Sequence, residues 1–245
     1  MSVVATGQKR SRKVASPRSF KAAEFFSGIG LVRLALERQH WQVVFANDID
    51  PDKAEMYRHN WPKDDHLVVD DIHKLPAASI PDCDLFTASF PCNDLSIAGR
   101  QDGLNGKESS AFWGLIRIIR EMGDRRPPLV LLENVVGFLT SDHGKDFEQA
   151  LQALSDLGYN VDSFILNALR WAPQSRQRLF VVGKLEPSRE RQSFAMETDA
   201  RPAPLCEFIT MHQHIRWDIR HLPRLPMPKN HLPDIVEDLP DDDPH

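Results

Sequence analysis

Cysteine is scarce in this chain of 245 residues, which contains only Cys83, Cys92 and Cys206. An odd, sparse set without metal-ligand spacing argues against a disulfide framework and against a structural metal site, and it favours a reducing compartment. Apolar runs are also short: none approaches the roughly 18 residues of a membrane span, and no signal peptide is evident. These absences predict a soluble, cytoplasmic protein that binds neither a metal nor a membrane.

The charges are unevenly distributed along the chain. Residues 1–20 contain five lysines and arginines and no acid, although the net charge of the whole chain is −5. We expect residues 1–20 to form a basic, flexible arm, which either contacts phosphates or is a plain leader. Residues 187–245 are rich in proline and end in an acidic stretch that would repel a nucleic acid. The chain is therefore divided into this arm, a main domain at 21–186 and a proline-rich, acidic tail at 187–245.

Short apolar segments alternate with segments of helical periodicity through most of the chain. This alternation predicts an α/β fold, a Rossmann-like parallel sheet with helices on both faces. Ligands of such sheets bind beyond the carboxyl ends of the strands. Strands are predicted at 22–26, 41–46, 67–69, 84–88, 128–132, 161–166 and 179–183, and helices at 31–38, 51–60, 111–122, 147–157 and 205–219.

Three polar features follow the first three predicted strands. The glycine turn Phe26-Ser27-Gly28-Ile29-Gly30 lets the backbone approach a ligand closely, although it lacks the third glycine of a dinucleotide fingerprint. Asp48 lies 18 residues beyond Gly30, where an acid commonly binds ribose hydroxyls or instead caps a helix. Asp71 could accept a hydrogen bond from an adenine amino group or merely cap a turn. Together they predict a nucleoside cofactor bound across these strands.

Reactive groups follow the later strands. Cys92 ends the segment Ser89-Phe90-Pro91-Cys92 after the fourth strand, where a thiol can be a nucleophile, although a lone cysteine is more often a buried small hydrophobe. Glu133 ends the fifth strand and could hold or deliver a proton. Arg176 and Arg178 are two residues apart, so on an extended segment they share one face. One arginine could orient a carboxylate and the other an anionic substrate, or both could belong to a solvated basic surface.

In their order, these motifs resemble those of the cytosine-C5 DNA methyltransferases. The matches are F-S-G-I-G at 26–30, N-D-I-D at 47–50, D-D-I at 70–72, F-P-C at 90–92, E-N-V at 133–135 and Q-S-R-Q-R at 174–178. The resemblance covers about residues 20–185. It implies a Rossmann-like sheet, S-adenosylmethionine as the cofactor, and transfer of its methyl group to carbon 5 of cytosine in double-stranded DNA, as in a restriction-modification system.

The resemblance also assigns roles to single residues, and 21–186 becomes the catalytic and cofactor-binding domain. Cys92 would be the nucleophile, and Glu133, Arg176 and Arg178 would be the other catalytic residues. The cofactor would be held by Phe26, Ser27, Gly28, Gly30, Asp48, Ile49, Asp71, Ile72 and Pro91.

The chain departs from the family pattern in several places. Asn93 stands where the family usually has glutamine, and Ile49 where an aromatic side chain often stacks on adenine. After about residue 220 we find neither the long, variable target-recognition region nor the returning helix that completes the sheet. The resemblance thus implies a catalytic half that a second polypeptide complements, or a truncated product.

Two rival functions stay open at this point. An RNA cytosine-C5 methyltransferase would have the same order of motifs, and a non-catalytic nucleoside-binding partner subunit would keep the fold without the reaction. A nicotinamide dehydrogenase accounts for the glycine turn and Asp48, but not for Pro91-Cys92 with Glu133 and the arginine pair.

Overall fold

The computed structural model describes residues 19–91, 110–186 and 196–227. None of the helices in these ranges is long and apolar enough to cross a membrane. The strands are β1 (Phe20–Phe25), β2 (Trp41–Asp48), β3 (Leu67–Val69), β4 (Leu85–Ala88), β5 (Leu129–Asn134), β6 (Tyr159–Asn167) and β7 (Gln177–Leu185). The α-helices are α1 (Leu31–Glu37), α2 (Pro51–Asn60), α3 (Ala111–Glu121), α4 (Lys145–Asp156) and α5 (Ala203–Met211). Short 3₁₀ segments occur at Ala77–Ser79, Gly123–Arg125, Val136–Gly144 and Ala168–Arg170.

All seven strands form one sheet in the order β3-β2-β1-β4-β5-β7-β6. The first five strands of this order pair in parallel, whereas β7 is antiparallel to both β5 and β6. The expectation of a wholly parallel sheet is therefore wrong for β7. The connection between β6 and β7 spans only residues 168–176. A parallel crossover needs a dozen or more residues, so this short connection returns the chain in the opposite direction.

Helices cover both faces of the sheet, as the alternation predicts. Ala22 and Ala23 are consecutive in β1 and point to opposite faces. Ala22 packs in a small cluster with Leu36 of α1, whereas Ala23 belongs to the large core that contains side chains of α3, α4 and α5. Ala54 of α2 packs against β2 in a third cluster. The Rossmann-like α/β architecture is thus confirmed.

The chain beyond Glu186 contributes to the same core. The predicted helix at 205–219 ends at Met211, because the apolar side chains that follow at 215, 217 and 219 alternate with the period of an extended strand. Trp217 is 2% exposed and pairs with Val161 of β6 in an isolated parallel bridge. The predicted basic arm, apart from its last two residues, and the acidic stretch from 228 to 245 lie outside the described residues.

A buried ion pair fastens this later segment to β6. Arg201 donates to both carboxylate oxygens of Asp162 at 2.8 Å, and the two residues are 4% and 6% exposed. Burial raises the pKa of Asp162. Because a buried charge without its partner is strongly unfavourable, loss of either residue should loosen the attachment of residues 196–227 to β6.

A second set of buried charges surrounds β1 and α1. Arg33 is 4% exposed; it donates to Glu37 at 2.7 Å, pairs with Asp64 and lies 4.4 Å from the centre of the Trp61 ring. Glu24 of β1 is 2% exposed, and its Oε2 has no hydrogen-bond partner among the described residues. Loss of hydration raises the pKa of Glu24 to about 8, and the nearby Arg33 opposes the shift. Glu24 is therefore a neutral acid at neutral pH.

The buried acid predicts a stability that depends on pH. The pKa of Glu24 is higher in the folded chain than in the unfolded one, so its contribution is complete below about pH 4.5 and is lost as the pH rises to about 8. Urea unfolding of the wild type should show a decline on the order of a few kcal/mol over this window. Glu24→Gln, which is isosteric with the neutral acid, should remove this part of the decline. An identical pH dependence of both proteins would contradict the prediction.

Candidate active site

The carboxyl ends of β1, β4 and β5 lie at one edge of the sheet, and the antiparallel β7 begins at the same edge. β4 ends at Ala88, and Pro91 follows as an exposed residue. Cys92, the predicted nucleophile, lies outside the described residues. Asn134 donates through Nδ2 to the carbonyl of Phe90 at 3.3 Å and accepts from the amide of Val135 at 2.8 Å. Asn134 is 5% exposed, so a buried amide fixes the chain two residues before the thiol.

Glu133 and Arg178 meet at this edge. Arg178 Nε lies 2.8 Å from Glu133 Oε1, and the two side chains are 21% and 27% exposed. The pairing of β5 with β7 brings them together, since Glu133 lies opposite Phe180, two residues beyond Arg178. A half-buried ion pair holds the carboxylate in a fixed direction while its other oxygen can reach a ligand.

Arg176 lies just before β7 and is exposed. Its guanidinium makes no hydrogen bond or ion pair with any residue in the described ranges. Its backbone is fixed: Asn167 Oδ1 accepts from the amides of Arg176 at 2.9 Å and of Leu169 at 3.0 Å. The backbone of Arg176 is thus fixed, while its positive charge is not neutralised by any described residue. Arg176 and Glu133 line the same cleft.

A cleft of about 560 Å³ joins the glycine turn to these groups. Six of its fourteen lining residues have polar or charged side chains, and apolar side chains from α1, β5 and β7 form much of the rest of its wall. The lining residues are Phe26, Ser27, Gly28, Ile29, Leu31, Val32, Lys53, Thr87, Ala88, Ser89, Leu131, Glu133, Arg176 and Phe180. A concave apolar site with a few convergent polar groups is the usual form of a small-molecule pocket.

Asp48 holds the glycine turn. Its carboxylate accepts from the amide of Gly28 at 2.7 Å and from that of Asp50 at 3.0 Å, and it is 7% exposed. Phe26 has φ 56°, in the left-handed region, which is strained for a residue with a side chain. Asp48 therefore positions the turn, and its contact with a ribose stays a prediction.

The turn leaves space and an unused polar group for a ligand. Ser27 is 6% exposed, and its Oγ has no hydrogen-bond partner in the described parts of the chain. A Cβ added to Gly28 would meet no atom within 4 Å. A buried hydroxyl without a partner is unfavourable unless a bound molecule satisfies it. These features fit the polar end of the nucleoside cofactor that the sequence predicts.

The other predicted cofactor residues lie elsewhere. Ile49 is 65% exposed, Asp71 accepts from the amide of His73 at 2.9 Å, and Ile72 is 4% exposed in the core. Gly30 packs against Trp61, since a Cβ there would lie 2.3 Å from the indole. These residues and Pro91 do not line the cleft, and their contact with a cofactor stays a prediction.

Sequence analysis missed two amides that position the site. Asn134 lies inside the E-N-V match, but only the fold shows that its side chain holds the residue before Pro91. Asn167 belongs to no motif that we recognised. Thr87 and Lys53 also line the cleft, and no spacing in the sequence marks them.

Three glycines give a test of the turn. Gly28 and Gly123 both have positive φ and open space at Cβ, so Gly28→Ala and Gly123→Ala should each lower the free energy of unfolding by about 1 kcal/mol. Only Gly28→Ala should weaken S-adenosylmethionine binding in calorimetric titration, because its methyl group enters the cleft. Gly30→Ala should destabilise more, by about 2–3 kcal/mol, because its methyl group collides with Trp61. Equal cofactor affinity of the Gly28 and Gly123 variants would contradict this assignment.

Comparisons with known proteins place the chain in a family. The family model for C-5 cytosine-specific DNA methylase matches residues 20–241. Type II methyltransferase M.BsuFI of Bacillus subtilis is 34% identical over 161 residues, which cover 65% of this chain and 38% of that relative. Type II methyltransferase M.HhaI of Haemophilus parahaemolyticus is 33% identical over 160 residues, covering 65% and 47%. The chain thus spans about half the length, or less, of these curated relatives.

Solved structures of methyltransferases are also similar to this chain. The structure of the S. pombe Dnmt2 methyltransferase superposes with a TM-score of 0.56 at 28% identity, and the match covers 71% of this chain and 52% of that one. The strand order, the glycine turn and the Glu133–Arg178 pair stand in the region that the family model matches. The chain belongs to the C-5 cytosine-specific DNA methylase family.

Proposed function

We propose that this chain is the catalytic and cofactor-binding part of a DNA (cytosine-5-)-methyltransferase of a restriction-modification system, acting inside the cell on double-stranded DNA. The observation that carries the proposal is the ion pair between Glu133 and Arg178, which lies at the same cleft as the glycine turn. The type II methyltransferases among the relatives support this choice of reaction and system.

The reaction must overcome the aromaticity of the cytosine ring. The target base leaves the helical stack, at a cost of a few kcal/mol, and enters the cleft. The thiolate of Cys92 forms a bond to carbon 6, and the displaced electron pair makes carbon 5 nucleophilic. After carbon 5 has gained the methyl group, it loses its proton, the bond from carbon 6 to Cys92 breaks, and the ring is aromatic again.

Glu133 and the arginines would support this addition. Glu133 would contact the N3 edge of the base and hold or deliver a proton there as charge develops. Arg178 fixes the direction of Glu133, and the unneutralised Arg176 would hold the base or a phosphate next to it. Asn134, through the carbonyl of Phe90, would set where Cys92 enters the cleft.

The cofactor fits the turn at the opposite end of the cleft. Ser27 Oγ would satisfy a polar group of S-adenosylmethionine, and Gly28 would let the ligand approach the backbone. When bound, the cofactor supplies a methyl group on a positively charged sulfur. The apolar walls at Leu131 and Phe180 would exclude water from the end of the cleft at Glu133.

A methyl-transfer assay with labelled S-adenosylmethionine tests the proposal. When a recognition polypeptide is present, duplex DNA of mixed sequence should be labelled, Cys92→Ser should abolish the labelling without changing cofactor binding, and Glu133→Gln should slow it by roughly 10²–10⁴-fold. Cys206→Ser is the matched control. It should keep the wild-type rate, because Cys206 donates to the carbonyl of Arg201 and does not line this cleft. Labelling by Cys92→Ser would sink the mechanism. Labelling of RNA and not of DNA, or cofactor binding with no labelling even when a partner is present, would replace the proposal by one of its two rivals.

A second polypeptide is part of the proposal. Leu31 and Leu34 of α1 are 67% and 41% exposed, and Leu31 lines the cleft together with the half-buried Leu131 and Phe180. This apolar surface, named here the α1 face, adjoins the site of the expected chemistry. A segment carrying the target-recognition region would bury it and close the cleft.

Mixing this chain with a separately encoded recognition polypeptide tests that part. Methylation should depend on the partner, and Leu31→Glu should reduce the partner-dependent rate because it places a charge in the apolar contact. Met56→Glu, at a residue of α2 that is 58% exposed, is the matched control and should not change the rate. Full activity of this chain alone would show that no second polypeptide is needed.

A further inference from the structure

The connection between β6 and β7, residues 168–176, carries two exposed apolar side chains that the proposed reaction has not used. Trp171 is 54% exposed and Leu169 is 40% exposed. The chain has five tryptophans, all within the described residues. Trp171 is exposed, whereas the other four are buried or partly buried. A large apolar surface facing water is unfavourable, so an exposed indole on a connecting loop often marks a contact surface.

This β6–β7 loop is held in one shape. Asn167 Oδ1 accepts from the amides at both of its ends, those of Leu169 and Arg176, while Ala168 donates to the carbonyl of Arg176 at 3.0 Å. Arg170 pairs with Asp199 at 2.8 Å and so ties the loop to the segment 196–227. The indole is therefore mounted on a preorganised loop, which loses little conformational entropy when it binds a partner.

The loop lies beside the candidate active site. Asn167, the last residue of β6, pairs with Gln177, the first residue of β7, and Glu133 pairs with Phe180 of the same strand. The loop thus extends from the edge of the sheet at which Glu133 and Arg178 meet. In the strand order it stands on the side of β5 opposite to β1 and the glycine turn.

The charge of the loop favours DNA over a protein as its partner. Residues 168–178 contain three arginines and no acid. Two of the arginines are neutralised, by Asp199 and Glu133, while Arg176 has no partner in the described ranges. A free guanidinium can bind a phosphate, and an exposed indole on the same loop can stack on the face of a base.

We propose that Trp171 packs against the DNA strand beside the cytosine that leaves the stack, with Arg176 on the neighbouring phosphate. This inference rests on the proposed function, because it takes DNA as the substrate. Trp171 would be a positioning residue: it contacts the DNA next to the target and does not touch the reacting atoms. It would stabilise the opened helix, in which a neighbouring base has lost one stacking partner.

Binding of a fluorescein-labelled duplex of mixed sequence tests the inference, together with tryptophan emission. Trp171→Ala should weaken duplex binding about tenfold, and Trp171→Phe should stay within about threefold of the wild type, because a phenyl ring still stacks. Met211→Ala, another exposed apolar residue, is the control and should bind as the wild type does. Duplex should quench the emission of the wild type and of Trp41→Phe, but not that of Trp171→Phe. Circular dichroism confirms that each variant is folded.

The outcomes separate this inference from the proposed function. If the wild type binds and methylates DNA while Trp171→Ala binds equally well, the inference alone is wrong. If Trp171→Ala keeps its DNA affinity but loses association with a recognition polypeptide, the loop is a protein interface and the inference is also wrong. Quenching at Trp171 without methylation, even when a recognition polypeptide is present, would keep the inference and reject the reaction. A wild type that binds no duplex, even when a recognition polypeptide is present, overturns both.

Discussion

The antiparallel pairing of β7 with β5 is the contact on which the arrangement of the site depends. Side chains of a strand meet those of its neighbour only in the register of the ladder, and here that register places Glu133 opposite Phe180. A parallel β7 would begin at the other edge of the sheet, and its first arginine would lie a strand length away from Glu133. The direction of one strand thus brings Arg178 to the carboxylate and the β6–β7 loop to the mouth of the cleft.

The glycine turn is held from two sides. Asp48 accepts from the amide of Gly28, while Gly30 packs directly against Trp61. Trp61 is itself fixed by the buried Arg33, whose charge is balanced by Glu37 and Asp64. Buried charges gain little stability against their loss of hydration. Their effect here is geometric, because they join α1 to Trp61 at the end of α2, and Trp61 packs against Gly30 of the turn.

Sequence patterns predict where the helices and strands of this fold lie better than they predict whether neighbouring strands are parallel or antiparallel. β3 begins and ends where the pattern of Leu67–Val69 indicated, because three apolar residues between polar ones leave no alternative. The direction of β7 is set by the length of its connection to β6, a signal that the apolar pattern of the strand does not contain. The predicted helix at 205–219 is longer than the helix of the structure, which ends at Met211. Ile215 and Ile219 have helical spacing, but together with Trp217 they alternate as in a strand.

In the site, too, residues within motifs can be predicted from the sequence, whereas residues that act through a contact made by the fold cannot. The motif residues Glu133 and Arg178 could be found in the sequence, because they stand in motifs that the resemblance to the family marks. Asn134 and Asn167 could not, since an amide that holds a backbone carbonyl or amide leaves no pattern of spacing. Ile72 packs under α3, where Gly114 leaves room for its side chain, and its contact with a cofactor stays a prediction.

The order of the strands also separates the two proposed contact surfaces, the α1 face and the β6–β7 loop. The α1 face borders the cleft on the side of β1, whereas the β6–β7 loop stands beyond β5, with the cleft between them. A polypeptide on the α1 face and a DNA strand on the loop could therefore bind at the same time. DNA that approaches from the loop would meet Arg176 before Glu133, so a cation would receive the phosphate chain before a base reached the carboxylate. Such an order suits an acidic chain, whose net charge of −5 would otherwise repel the DNA that we propose as its substrate.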